Sequence, residues 1–255
     1  VREGSKKPRY HCSDFYSYAR RKADYFSVGP FVTGGLDLVR VFARVPEAMS
    51  ADEILALHEE LLRKGLGADL EILEFRVGDG ASLERLRVFR AGLSKETSRL
   101  AYLARVEGPL ALARDAIKIA DMVCWTTPEE GEYAAYLEAC RAAGIVNLVE
   151  AEDAAVARKY EAASLYKAVP TMTSLRGGDV SALIHEYRLL AAYGARSPIL
   201  IRAPREKTAD EQVLRASTLI GGLLCDGIGD AVCLDGDLPL GRGVSLLYNV
   251  LQGAG

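Results

Sequence analysis

The feature that most constrains this chain is an alternation. From Leu36 onward a short apolar run rich in β-formers is followed by a longer amphipathic run, again and again. The short runs are Leu38–Val45, Leu70–Val77, Arg99–Val106, Met122–Trp125, Ile145–Val149, Val169–Leu175, Ile199–Arg202 and Ala231–Leu234. The longer ones are Ala51–Lys64, Leu83–Arg90, Pro109–Ala120, Pro128–Ala143, Glu152–Leu165, Val180–Ala192, Ala209–Leu224 and Val244–Leu251. Parallel strands need crossover helices, and strands covered on both faces read as continuous apolar runs. Eight such units over residues 36–255 predict a closed (β/α)8 TIM-type barrel. An open doubly wound sheet is the alternative. No GxGxxG follows the first strand, which removes the dinucleotide-binding version of it.

Local punctuation supports the alternation. Ser50/Glu53, Thr127/Glu130 and Thr208/Glu211 have capping-box spacing. Pro109 and Pro128 stand where a helix's first turn tolerates proline, and Gly65, Gly144 and Gly194 stand where a left-handed C-terminal cap suits glycine. Residues 1–35 differ from the rest: rich in Tyr, Arg and Lys, they read as a linker and N-terminal arm. Its Tyr25–Val32 stretch is extended, ends at Gly34-Gly35, and is expected to plug the N-terminal end of the barrel as a strand or hairpin.

Composition narrows the function classes. A net charge of −3 gives no basic surface for nucleic acid or anionic lipid, and no apolar run approaches the roughly 20 residues of a membrane span. Five cysteines without a CxxC pair argue against a disulfide scaffold or a sequence-local metal site, and point to a reduced, cytoplasmic setting. Cys124, Cys140, Cys225 and Cys233 read as small core residues, which leaves Cys12 as the exposed thiol, and Trp125 is expected in or over the barrel mouth.

In a barrel of this type reactive groups sit at the C-terminal ends of the strands. Those ends carry Arg44, Glu47, Asp79, Glu107, Thr126, Thr127, Glu150, Ser174, Arg176, Arg205, Asp235 and Asp237, with neither His nor Lys. Proton transfer there would rest on carboxylates alone. Asp79, Glu107, Glu150, Asp235 and Asp237 could converge on a hard cation, or simply cap the helices that follow; the second reading is preferred, and no metal site or catalytic residue is assigned. Two glycine-rich segments carry an arginine: Arg176-Gly177-Gly178 and Gly241-Arg242-Gly243. With Arg205 they give a candidate anion site of Arg176, Gly177, Arg205, Gly241, Arg242 and Gly243, unless the glycines serve only tight turns.

One stretch is more specific than composition. Ala216–Leu234, with Gly221-Gly-Leu-Leu-Cys-Asp-Gly-Ile-Gly-Asp230 at its centre, resembles the end of the middle domain of three-domain 4-hydroxy-3-methylbut-2-enyl diphosphate synthases, as do residues 246–253. Thr173–Asp179 resembles the sixth-strand region of that domain, and Tyr18-Ala-Arg-Arg-Lys22 with Val28-Gly29 the segment entering it. Residues 45–165 carry little that matches. The plastid-type enzymes and some bacterial ones have this extra domain.

The resemblance implies an oxidoreductase of the methylerythritol phosphate route to isoprenoids (terpenoid precursors), which reductively opens 2-C-methyl-D-erythritol 2,4-cyclodiphosphate. A 4Fe-4S cluster held by a C-terminal domain carries the electrons, with ferredoxin or flavodoxin as donor. On this reading the chain is a domain fragment, inactive alone and without a cofactor of its own. Its partners are the catalytic barrel and iron–sulfur domains of its own chain, with no nucleic acid or membrane among them. The cluster's CxxC is expected beyond Gly255, and the absence of an initiator Met suggests chain upstream of Val1. The insert is expected to position the working domains so that one chain closes on itself. The alternative is an independent barrel enzyme acting on a phosphorylated metabolite.

Overall fold

The computed structural model describes residues 19–64, 68–96, 99–126, 131–162 and 168–254. A two-stranded hairpin comes first: β1 (Tyr25–Val28) pairs antiparallel with β2 (Phe31–Gly34). Eight parallel strands then close into a barrel: β3 (Arg40–Arg44), β4 (Ile72–Val77), β5 (Ala101–Val106), β6 (Met122–Trp125), β7 (Val146–Ala151), β8 (Thr171–Leu175), β9 (Ile199–Ala203) and β10 (Ala231–Leu234). Strand β10 seals the ring by pairing with both β3 and β9. A helix follows each barrel strand: α1 (Ala51–Lys64), α2 (Gly80–Glu96), α3 (Leu110–Ile117), α4 (Tyr133–Ala143), α5 (Ala154–Ala162), α6 (Val180–Ala192), α7 (Ala209–Cys225) and α8 (Leu240–Ala254). The (β/α)8 barrel expected from the alternation is the fold observed.

The helix ends follow the local chemistry. Ser50 and Glu53 close a reciprocal capping box on α1: the Ser50 amide donates to Glu53 Oε2 at 2.7 Å, and the Glu53 amide to Ser50 Oγ at 3.3 Å. Thr208 caps α7 by accepting from the Glu211 amide at 3.2 Å. Gly144 follows α4 with φ of 66°, the left-handed cap that glycine adopts without strain. The Thr127/Glu130 box, Pro128, Gly65 and Cys12 lie outside the described residues.

Three apolar assemblies hold the barrel. Two fill the space between strands and helices, around Phe75 and Tyr102 on one side and Tyr187 and Ile220 on the other. The third is inside, where Phe42, Ile72, Leu103, Met122, Met172 and Leu200 fill the lower half. The hairpin closes that lower end. Val28 is fully buried against the interior cluster, and a Cβ placed on Gly29 would lie 3.0 Å from Ala101 Cβ. Arg40 clamps the hairpin from β3, donating through Nε to the Val32 carbonyl at 2.8 Å and pairing with Asp37 and Glu71.

Two placements correct the sequence reading. Trp125 lies on the outside of the barrel wall rather than at the mouth. In β6, Met122 and Cys124 belong to the interior cluster, so alternation turns Val123 and Trp125 outward. There the Trp125 ring stacks on Tyr133 and its Nε1 donates to the Gly108 carbonyl at 2.8 Å. Cys225 is exposed at the end of α7, while Cys124, Cys140 and Cys233 are buried.

Candidate functional site

The upper half of the barrel interior is charged. Along β4 the alternation that turns Ile72 inward also turns Glu74 and Arg76 inward; on β5 it places Arg105 above Leu103, and on β9 Arg202 above Leu200. Glu150 on β7 and Asp235 after β10 complete the layer. Arg202 is its centre, with a side chain 5% exposed. It bonds Glu74 with both terminal nitrogens, at 2.6 and 3.2 Å, and Asp235 at 2.7 Å, and its Nε lies 3.2 Å from Glu150. Glu150, 1% exposed, also receives Arg105, and Arg176 at 3.1 Å. Burial alone would pull the Arg202 guanidinium down; Cys233 and the carboxylates of Glu74, Asp235 and Glu150 hold it well above the usual arginine range.

Above this layer opens a cleft of about 410 Å³. Arg44, Arg76, Arg105, Arg176, Arg202 and Arg205 line it, against Glu107, Glu150 and Asp235. Arg76 grips Glu107 through Nε and Nη2 at 3.0 and 2.6 Å, and Arg205 pairs with Asp237 on the rim. Gln212 of α7 fixes the loop that carries Arg205, donating to the Pro204 carbonyl and accepting from the Glu206 amide, both at 2.8 Å. Of the predicted anion ligands, Arg176, Gly177 and Arg205 line the cleft. Gly241, Arg242 and Gly243 do not: they form the first turn of α8. A Cβ on Gly241 would meet the Leu57 Cδ1 methyl at 2.6 Å, so a larger residue there would make that side chain turn away.

The carboxylates at the strand ends are occupied. Asp79 caps α2 by accepting from the Ser82 amide at 2.8 Å, and Glu107, Glu150, Asp235 and Asp237 are paired with arginines. Among the described residues no three His, Cys, Asp or Glu side chains form a metal-binding group. Nor do the described cysteines fit an iron–sulfur cluster, whose ligands are thiolates. Cys124 and Cys233 face the barrel interior, where burial pushes both thiols up and keeps them protonated; Cys140 is buried on α4 and Cys225 is exposed on α7. The residues that line the cleft include no histidine or lysine. Arginine does not surrender its proton in a protein, so this mouth can hold and orient an anion, and any proton transfer in it would rest on Glu107, Glu150 or Asp235.

Sequence reasoning missed Glu74, Arg76, Arg105 and Arg202. A signal was present: each is a charge at an inward, every-second position of an otherwise apolar strand.

No protein-family model matches the chain. A 4-hydroxy-3-methylbut-2-en-1-yl diphosphate synthase (flavodoxin) of Akkermansia muciniphila is 35% identical over 92 residues, a match covering 34% of this chain and 16% of that protein. Solved structures share the architecture at low identity. The phospho-2-dehydro-3-deoxyheptonate aldolase of Thermotoga maritima superposes with a TM-score of 0.63 at 12% identity, covering 91% of this chain and 72% of that one. The N-acetylneuraminic acid synthetase of Leptospira borgpetersenii gives 0.61 at 10%, covering 92% and 90%. Dihydropteroate synthase from Stenotrophomonas maltophilia gives 0.53 at 17%, covering 87% and 93%. The chain thus has the barrel fold of these synthases, and about a third of it is similar to one part of a diphosphate synthase.

Proposed function

We propose that this chain is the inserted middle domain of a three-domain 4-hydroxy-3-methylbut-2-enyl diphosphate synthase. It serves isoprenoid biosynthesis by setting the geometry between the enzyme's two working domains. The observation that carries this is the 92-residue similarity to a synthase of which the match spans only a small part. The mouth supports it, since its charges are largely paired with one another. Proximity of this kind can contribute several kcal/mol to a barrier without a reactive side chain in the spacer.

On this reading the 4Fe-4S cluster belongs to another domain of the parent enzyme, and the catalytic barrel and cluster domain are this domain's partners. The name of the similar synthase favours flavodoxin over ferredoxin as electron donor. The bacterial cytoplasm is the expected setting; among the described residues no helix is long and apolar enough to cross a membrane. The boundary at residue 35, between arm and insert, is part of the same proposal.

The arginine-lined cleft favours a second reading, an independent barrel enzyme for a phosphorylated metabolite. Kinetics on the full-length parent enzyme separate the two. Under the positioning reading, Arg176→Ala, Arg205→Ala and Arg242→Ala leave turnover within about twofold, while removal of the domain abolishes it. A large rise in KM or fall in kcat from a single arginine, with the melting temperature unchanged, would favour the enzyme.

A further inference from the structure

We propose that the barrel mouth is a binding seat for a phosphate-type oxyanion, held chiefly by Arg44 and Arg176. This goes beyond the positioning role and does not depend on it. Arg202 and Arg105 are committed to the buried carboxylates beneath the cleft, Arg76 to Glu107, and Arg205 to Asp237. Among the described residues the ionic partner of Arg44 is Asp235, at 3.9 Å, beyond hydrogen-bond range, and that carboxylate oxygen is already bonded by Arg202 at 2.7 Å.

Arg176 spends Nε on Glu150 at 3.1 Å, and its Nη2 reaches the Thr126 carbonyl only at 3.5 Å. Both guanidiniums are 43% exposed and both line the cleft, Arg44 at the end of β3 and Arg176 just after β8, with β9 and β10 between the two strands. They are brought to one space by the closure of the ring. The carboxylates of the mouth are spent mainly on the other arginines, so the guanidinium donors least engaged are those of Arg44 and Arg176.

Planar guanidiniums with spare N–H groups recognise tetrahedral oxyanions by paired hydrogen bonds. A cleft of about 410 Å³ falls within the range of small-ligand sites. Beneath it Arg202, Glu74 and Glu150 are buried and paired with one another, which leaves the donors above them facing the cleft. Inorganic phosphate and a phosphate monoester share the recognised chemistry.

The test is isothermal titration of the 255-residue chain with inorganic phosphate at pH 7.5 and constant ionic strength, with chloride as the balancing anion. Glycerol 3-phosphate, run in parallel, distinguishes a free phosphate from an esterified one. Saturable one-site binding is expected, weakened about tenfold by Arg44→Gln and again by Arg176→Gln. Arg87→Gln, which removes a charge from the exposed face of α2, should leave binding unchanged. Absence of saturable binding by the native chain overturns the proposal, whatever the variants do. So does equal weakening by all three substitutions, which would mean attraction by net charge alone.

Discussion

The carboxylate of Asp230 holds the guanidinium of Arg21 at 2.6 Å, joining residues 209 apart in sequence. Asp230 is nearly inaccessible and also receives Arg20 at 3.3 Å and the Ile199 amide at 2.9 Å. Arg21 reaches further, to the Ala195 and Ser197 carbonyls at 2.6 and 3.0 Å. The two segments that this pair unites, Ala19–Lys22 and Gly227–Asp230, both belong to the stretches that resemble the synthase insert. Their shared task is to fasten the entering chain to the end of the barrel opposite the mouth.

Replacing Asp230 with Ala should therefore cost far more than loss of a surface pair. Two partly buried guanidiniums would lose their counter-charge and one buried amide its acceptor, at about 3 kcal/mol. The melting temperature should fall by roughly 6–12 °C, given about 2–4 °C per kcal/mol for a chain of this size. Circular dichroism melts check it; a shift below 2 °C would show that the entry segment is not fastened there.

The hairpin gives a second contrast. Val28 is fully buried in the barrel floor, whereas Tyr25, on the same strand, is 76% exposed. Val28→Asp places a charge among Phe42, Ile72 and Met122, and should lower the melting temperature by more than 5 °C. Tyr25→Asp should move it by less than 2 °C. Equal effects would mean that the hairpin does not plug the barrel.

Arg202 is the keystone of the charged layer. Arg202→Ala would leave the buried Glu74 carboxylate without its arginine and take one of several from Glu150 and Asp235, and removing one partner of a buried pair typically costs about 3–5 kcal/mol. Arg205→Ala, at a pair where both side chains are about two-thirds exposed, should cost next to nothing. Urea denaturation of the two variants tests the contrast, and similar midpoints would contradict it.

Burial also sets a dependence on alkaline pH. It pushes the Cys140 thiol from 9.0 up to about 11. Between those values the unfolded chain loses its proton first. The stabilisation from the neutral buried thiol is therefore complete below pH 9 and lost as pH rises through 11, in total about 3 kcal/mol. Cys140→Ala should flatten that part of the stability–pH curve; an unchanged slope between pH 9 and 11 would contradict the assignment.

The fold was legible because parallel strands covered on both faces leave an unmistakable apolar run, and because Ser50, Thr208 and Gly144 mark helix ends by chemistry that acts locally. The predicted bounds of α1 and α6 match at both ends. Helix α8 begins four residues before Val244, because Gly241 and Gly243 suggest a loop although they form the helix's first turn. The site was less legible. Attention to strand ends found Arg176 and Arg205, yet the deeper Glu74, Arg105 and Arg202 escaped it, since a charge within an apolar strand makes sense only once seven other strands supply its partners. Cys225 likewise reads as a core residue until its place at the end of α7 exposes it.

Under the proposed role, this domain lets one chain of a three-domain synthase close upon itself. Mixing two inactive full-length variants tests that most directly, one disabled in the catalytic barrel and the other in the iron–sulfur domain. If the insert supports closure within a chain, each variant carries a broken pair and the mixture should show no more turnover than either alone, at any protein concentration. Recovery of substantial turnover on mixing would show that the working domains meet between chains, and would contradict the positioning role proposed for this barrel.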